Sequence, residues 1–419
     1  MTSFNRLATA NTYDNALRNI TQRQSALSGL QENLTSGKRV VRASDDPSSA
    51  AQAERALTRM SRIVTDQRAL ASQSNSIAMA ESTLGDVTNA LQSFRELVVS
   101  AGNGTFVQKD RQTVALQLQG LRDQIFGLSN TTDTNGQPLF SALGSALAPF
   151  VGPTAQPQDY TFEGLPGQAA SGTVSIPFAL DGDSAFMLQP ARDGVYNVSM
   201  GSASSTLRSS GITVTNAALV TESSYKISNI AIVQGTGIPV ALGINTTTYD
   251  IEETKANGTV LPPSSVTGPQ YSALSTTIPI TLPGLALNIT GTPGAGDSIV
   301  VQRSPSLISV LDDAIRDIGG ATNNAAASQA VGQALNNIDI GANRISAVRG
   351  QAGELLNRAD RISTNQDKRS IQLEADRSRA EDLDMVKGIA DFQNQQTGYQ
   401  AALQSYAQMQ KLSLFNYIG

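Results

Sequence analysis

Two side chains that dominate chemistry near neutral pH are missing from this chain, which has no histidine and no cysteine. A thiol nucleophile, a thiolate zinc site, a disulfide framework and any imidazole relay are therefore excluded. Carboxylates remain. Asp181 and Asp183, or Glu252 and Glu253, are the pairs that could share a proton or hold calcium. Neither pair falls into a known constellation, and Asp181-Gly182-Asp183 has the composition of a turn at a strand end. Gly291-Thr-Pro-Gly-Ala-Gly296 has the glycines of a phosphate loop but neither its lysine nor a following helix. The expectation is a chain that is not an enzyme and holds no metal or cofactor.

A second constellation is basic. In TSGKRVVRASDDPSSAAQAE, residues 35–54, Gly37 is suited to end a helix in the left-handed conformation. Ser44, Asp45 and Asp46 offer acceptors for orphan amides, and Pro47 suits a first helical position. Lys38, Arg39 and Arg42 lie between. Gly37, Lys38, Arg39, Arg42, Asp45, Asp46 and Pro47 are thus expected to form a hinge between two helices, with the cations free to meet acidic groups on a neighbouring copy or to stay solvated.

The elements around this joint are legible from period. Tyr13, Ile20, Leu27 and Leu34 recur every seven residues with Leu17 beside them, while Gln24 and Gln31 fill other seam positions, so the first helix reads as a weak coiled coil. Ala56, Ile63, Leu70, Ile77, Leu84, Leu91 and Val98 continue the repeat without a miss, with Ala80, Val87 and Phe94 at the intervening positions. A helix from Pro47 to about Ser100 would span roughly 80 Å. After Gly102 and Gly104 a shorter helix carries Val114, Leu118, Leu121, Ile125 and Leu128. On the far side, Ile338, Gly341, Ile345, Val348, Ala352, Leu355, Ala359 and Ile362 alternate by three and four, in a helix from about Asn323 to beyond Leu373. The last segment carries Met385, Ile389, Phe392, Gln396, Tyr399, Leu403 and Tyr406, then Leu414 and Phe415. The assembly seam expected from the two ends is Tyr13, Leu17, Ile20, Leu27, Leu34, Met385, Ile389, Phe392, Tyr399, Leu403, Tyr406, Leu414 and Phe415.

Residues 141–300 differ, holding 13 of the 16 prolines and only 14 charged side chains, 10 of them acidic. Segments 172–177, 194–198, 211–215 and 297–301 are short and β-branched and read as strands of one β unit or two. The expected fold is mainly α at both termini, a long antiparallel helical rod plus a terminal coiled coil, with an inserted all-β central domain, the whole elongated. Residues 1–46 and 376–419 would form the terminal assembly domain with its hinge, 47–140 and 305–375 the rod, and 141–304 the exposed β-rich domain.

Aromatic residues are 5% of the 419, Trp is absent, and the formal charge is −5. These values suit helices packed through small residues and argue against a nucleic-acid binder. No run of 18 apolar residues and no secretory signal stands in the sequence, so no membrane insertion is expected and the cytoplasm is the default.

The motifs resemble the flagellin family of flagellar axial proteins over residues 1–140 and 305–419. The resemblance is carried by Lys38-Arg39-Val-Val with Asp45-Asp46-Pro47, by Leu91-Gln-Ser-Phe-Arg-Glu-Leu97 with Asn103-Gly104-Thr105, and by Leu121-Arg-Asp-Gln124 and Asn130-Thr-Thr-Asp133. The ending Tyr406-Ala-Gln-Met-Gln-Lys-Leu-Ser-Leu-Phe415 and the Lys-Arg-Val-Val form look more like the hook-associated members than like filament flagellins. The resemblance implies a structural, self-assembling subunit at the junction between hook-associated protein 1 and the flagellin filament. It implies export in an unfolded form through the flagellar type III apparatus, with help from an export chaperone, and folding on assembly outside the cell. Its partners would be further copies of itself, hook-associated protein 1, flagellin and the chaperone. A flagellin filament subunit is the near alternative, and a phage-tail or adhesin fibre the distant one.

Overall fold

A computed structural model describes residues 3–154, 159–201, 207–234 and 243–418; the side chains of 3–10, 12, 409 and 411–418 lie outside the description. Eight α-helices are present among these residues: α1 (Ser3–Ser36), α2 (Pro47–Ala101), α3 (Gln108–Ser129), α4 (Gly182–Phe186), α5 (Pro190–Asp193), α6 (Leu307–Gly320), α7 (Asn324–Glu381) and α8 (Met385–Ile418). The chain forms two compact units, residues 1–68 with 362–419, and residues 69–361.

In the unit of residues 69–361, the helices obey the expected period. Ile77, Leu84, Leu91 and Val98, with Ala80, Val87 and Phe94 between them, are at most 2% exposed. Ile338, Ile345, Val348, Ala352 and Ala359 on α7 are likewise buried. Gly341 belongs to this stripe because Leu307 occupies its place: a Cβ there would lie 2.5 Å from the leucine Cδ1. Helix α6 starts on Ser306, whose Oγ accepts from the Ser309 N–H at 3.0 Å. It buries Leu307, Leu311, Ala314 and Ile318 and packs on α3. Arg111 of α3 is itself buried, donating to the Ala321 carbonyl at 3.4 Å and to the Asn324 side chain, across the α6–α7 turn.

The described residues also form twelve strands: β1 (Phe150–Val151), β2 (Thr161–Phe162), β3 (Tyr196–Met200), β4 (Arg208–Ser209), β5 (Thr213–Val214), β6 (Ser224–Gln234), β7 (Ile244–Thr254), β8 (Ser264–Thr267), β9 (Tyr271–Ser272), β10 (Thr277–Leu282), β11 (Leu285–Thr290) and β12 (Ile299–Arg303). All pair antiparallel. One sheet runs β3-β12-β6-β7-β8 with β9 beside β7, and another runs β10-β11-β4 with β5 beside β11. Their inner faces share one apolar core, including Tyr196, Tyr225, Ile227, Tyr249, Ile280, Leu287, Ile289 and Val301. Gln333 and Asn337 of α7 both donate to the Tyr196 carbonyl at 2.9 Å, which fastens β3 to a helix.

Three of the four segments read as strands contribute to β3, β5 and β12, but residues 172–177 form no strand. Their backbone groups find other partners. Gly172 N–H donates to the Ser175 carbonyl at 3.0 Å, Ile176 N–H to Gln73 Oε1 at 3.1 Å, and the Gly172 carbonyl accepts from Arg358 at 3.0 Å. A local turn and two helix side chains thus take backbone groups that a β ladder would have used.

In the unit of residues 1–68 and 362–419, α2 and α7 bury Ala56, Ile63 and Leu373 against Met60. Ile362, Gln366 and Leu373 share the buried stripe of α7, and neither amide atom of Gln366 has a hydrogen-bond partner. An unsatisfied buried polar group costs about 1–3 kcal/mol. Gln366→Leu is of similar volume and is expected to raise the thermal midpoint of this unit by a matching amount, measurable by calorimetry.

Candidate assembly surface: the terminal helix pair and its joint

Helices α1 and α8 pack side by side in opposite directions. The Tyr13 and Tyr406 rings lie 5.3 Å apart with their hydroxyls hydrogen-bonded. Further along, Gly398 faces Arg23, where a Cβ would come within 2.5 Å of the guanidinium, and Gly388 faces Leu34 at 3.2 Å. Falling numbers on one helix meet rising numbers on the other, which fixes the antiparallel register.

The half-buried stripe of α1 is Ala16, Ile20, Arg23, Leu27, Leu30 and Leu34, an alternation of four and three. On α8 it includes Phe392, Gln395, Tyr399, Ala402 and Tyr406. The heptad frame through Ile20, Leu27 and Leu34 is the one expected, but the intervening positions are Ala16, Arg23 and Leu30, not Leu17, Gln24 and Gln31. Gln24, Gln31 and Gln396 are exposed and do not face the partner helix. Sequence hydrophobicity favoured Leu17, whereas the geometry accepts small Ala16 and the aliphatic stem of Arg23, which can cover apolar surface with its charge in water. Glycines opposite Arg23 and Leu34 were the available signal, since they mark close approach.

A pair of helices covers only one stripe of each partner, and apolar side chains remain outside it. Tyr13, Leu17, Met385, Ile389 and Leu403 are 41–48% exposed, and Val386 is 83% exposed. No seam residue with a described side chain at these ends is fully buried, in contrast with the stripe of α2. Leu414 and Phe415 lie in α8, with side chains outside the described residues.

At the joint, two crossings of the chain run side by side. Gly37 takes φ = 70°, ending α1 in the conformation glycine adopts most cheaply. Lys38 bridges Asp382 in antiparallel fashion: Arg39 N–H donates to the Glu381 carbonyl at 2.8 Å, and Leu383 N–H donates to the Gly37 carbonyl at 2.9 Å. The cations find their partners within the chain. Lys38 pairs with Glu381, Arg42 with Glu32 at 2.7 Å, and Arg39 with Asp46 at 3.2 Å while also donating to the Ala380 carbonyl at 2.7 Å. Asp45 Oδ2 accepts from the Arg42 N–H at 2.8 Å, and Pro47 opens α2. The sequence could not reveal Glu381, which lies more than 340 residues away.

Asp46 caps α2. Its carboxylate accepts from the Ser49 hydroxyl at 2.6 Å and N–H at 3.1 Å, from Ser48, and from Arg39. Those donors, led by Ser49, hold its pKa well below the ordinary value of 3.8. A depressed folded-state value adds stability that is complete above the ordinary carboxylate range and is lost as pH falls through and below it. Asp46→Asn is therefore expected to melt below the parent at pH 7, and the gap is expected to close on acidification below about pH 4, as thermal melts across that range would show.

The carboxylate pairs have other duties. Asp181 caps α4, accepting from the Asp183 N–H at 3.1 Å and the Ser184 hydroxyl at 2.7 Å. Glu252 stands across from Lys226 in the β6–β7 ladder, and Glu253 accepts from the Ser223 hydroxyl at 2.6 Å. In 291–296, Gly294 N–H donates to Asp297, forming a turn. Among the described residues no group of three or more carboxylates could hold a metal ion, and no helix is long and apolar enough to cross a membrane.

The family model for the bacterial flagellin N-terminal helical region matches residues 7–144, and that for the C-terminal helical region matches residues 335–418. A flagellar hook-associated protein 3 from Salmonella typhimurium is 38% identical over 147 residues, covering 35% of this chain and 46% of that one. The Escherichia coli protein of that name is 40% identical over 148 residues, with the same coverage. The matches thus span about half the length of these curated relatives. A flagellin from Clostridium tyrobutyricum is 32% identical over 129 residues, 30% of this chain and 33% of that one. The crystal structure of a flagellar hook-associated protein-3 from Legionella pneumophila superposes with a TM-score of 0.57 at 22% identity, covering 77% of this chain and 97% of that chain. That likeness is one of fold: long N- and C-terminal helices with a central antiparallel β domain. With the two family models together matching more than half of its residues, the chain belongs to the flagellin family.

Proposed function

We propose that this chain is a structural, self-assembling subunit of the bacterial flagellum that joins the hook, through hook-associated protein 1, to the flagellin filament. The observation that carries the reading is the terminal helix pair, whose apolar side chains are only half covered by each other. Such a surface is completed by further copies, and contacts between identical subunits that do not close on themselves give rings or helices. The 38–40% identity to hook-associated protein 3, against 32% to a flagellin, favours the junction over the filament body.

On this reading residues 1–46 and 376–419 are the assembly domain. The chain leaves the cell unfolded through the type III apparatus, escorted by an export chaperone, and its ends become fully protected only between neighbours. Electron microscopy of cells lacking the protein tests the assignment. Intact hooks with flagellin shed into the medium are the expected result, whereas loss of filament subunit itself would assign the chain to flagellin.

A further inference from the structure

We propose that a row of arginines at the start of α2 receives carboxylates from a second copy of this chain, an inference that rests on the self-assembly reading above. Arg55, Arg59 and Arg62 recur at intervals of four and three, so they share one face of the helix, and all three are exposed. Like charges at that spacing repel each other and weaken a helix unless carboxylates are interleaved. None of the three has a carboxylate partner among the described residues. Arg55 donates to the Ala51 carbonyl at 3.0 Å, and Arg59 and Arg62 make no polar contact there. At the joint and at the end of α7, by contrast, Lys38, Arg39, Arg42, Arg377 and Arg379 all have acidic partners.

Arg55 and Arg59 form one wall of a groove of about 380 Å³, and Arg379 stands on the other wall beside Asp376. Ala56, Ala380 and Leu373, each of them buried, also line it. These small and apolar positions leave room for a side chain to descend between guanidinium groups, which grip a carboxylate through two parallel N–H bonds.

Charge distribution selects a second copy as the source. Residues 1–68 and 362–419 hold 16 basic and 13 acidic side chains in a protein whose formal charge is −5. The whole negative surplus therefore belongs to residues 69–361. Asp86, Glu96 and Asp360 there are exposed and have no ion-pair partner among the described residues. A contact between the positive part of one copy and the negative part of the next is head-to-tail, and so propagates from copy to copy into a ring or a helix.

The test uses the purified full-length chain, with assembly followed by sedimentation against protein concentration at low and high salt. The parent is expected to assemble, with a critical concentration that rises with salt. R55E/R59E is expected to raise that concentration at least tenfold, R55K/R59K to stay within a fewfold of the parent, and all three to give the same far-ultraviolet thermal melt. Assembly of R55E/R59E at the parent's concentration would overturn the arginine contact. A parent that stays monomeric at every concentration would instead overturn the self-assembly reading beneath it.

Discussion

Cutting the chain back to residues 37–384, which removes α1 and α8 and keeps both crossings of the joint, is expected to leave a folded protein that no longer polymerises. The part that remains has its own cores. The stripe of α2 is buried from Ala56 to Val98, and the β sheets share a closed apolar interior. The part removed contributes Tyr13, Leu17, Met385, Ile389 and Leu403, each nearly half exposed when α1 and α8 have only each other. Covering each such side chain contributes on the order of 1 kcal/mol. Together they amount to roughly 5 kcal/mol for each new contact, more than a thousandfold in association. Sedimentation of the truncated and full-length proteins reads the difference, and retained assembly by the truncated chain would move the contact surface elsewhere. The pair Leu17→Asp and Leu403→Asp is the finer version, since neither side chain lies on the stripe through which α1 and α8 meet.

Phe94→Ala is expected to be the most damaging single substitution to stability. Phe94 is fully buried on α2, one position of the stripe that includes Leu91 and Val98. Emptying such a site costs about 3–5 kcal/mol, from the lost transfer energy and the residual cavity. At roughly 2–4 °C per kcal/mol for a unit of a few hundred residues, the midpoint of the 69–361 unit is expected to fall by roughly 6–20 °C. Val99, one residue after the stripe, is 51% exposed, so Val99→Ala serves as the control and is expected to shift the melt little.

The contrast between these two helices explains what the sequence could disclose. On α2 every seventh residue from Ala56 to Val98 is apolar, as are the intervening Ala80, Val87 and Phe94, so one frame buries these ten positions, which are readable by counting. On α1 two frames compete, one through Leu17 and Gln24 and one through Ala16 and Arg23. A count of apolar residues prefers the first, while close packing against glycines on the partner selects the second. The joint was legible as a stop and a restart, because Gly37, Asp46 and Pro47 act locally. Its fastening to Glu381 and Asp382 was not, since long-range pairing leaves no periodic trace. The same holds for residues 172–177, where Gln73 and Arg358, distant in sequence, bond to the Ile176 N–H and the Gly172 carbonyl.

The doubled joint bears on mechanics. A single linker between Ser36 and Pro47 would act as a swivel and let twist dissipate by rotation about a few bonds. Here the outgoing and returning crossings are laced by backbone bonds on both sides of Lys38 and by the Lys38–Glu381 pair. Torque applied to the terminal helices must then shear several bonds at once, so the connection is stiff in torsion.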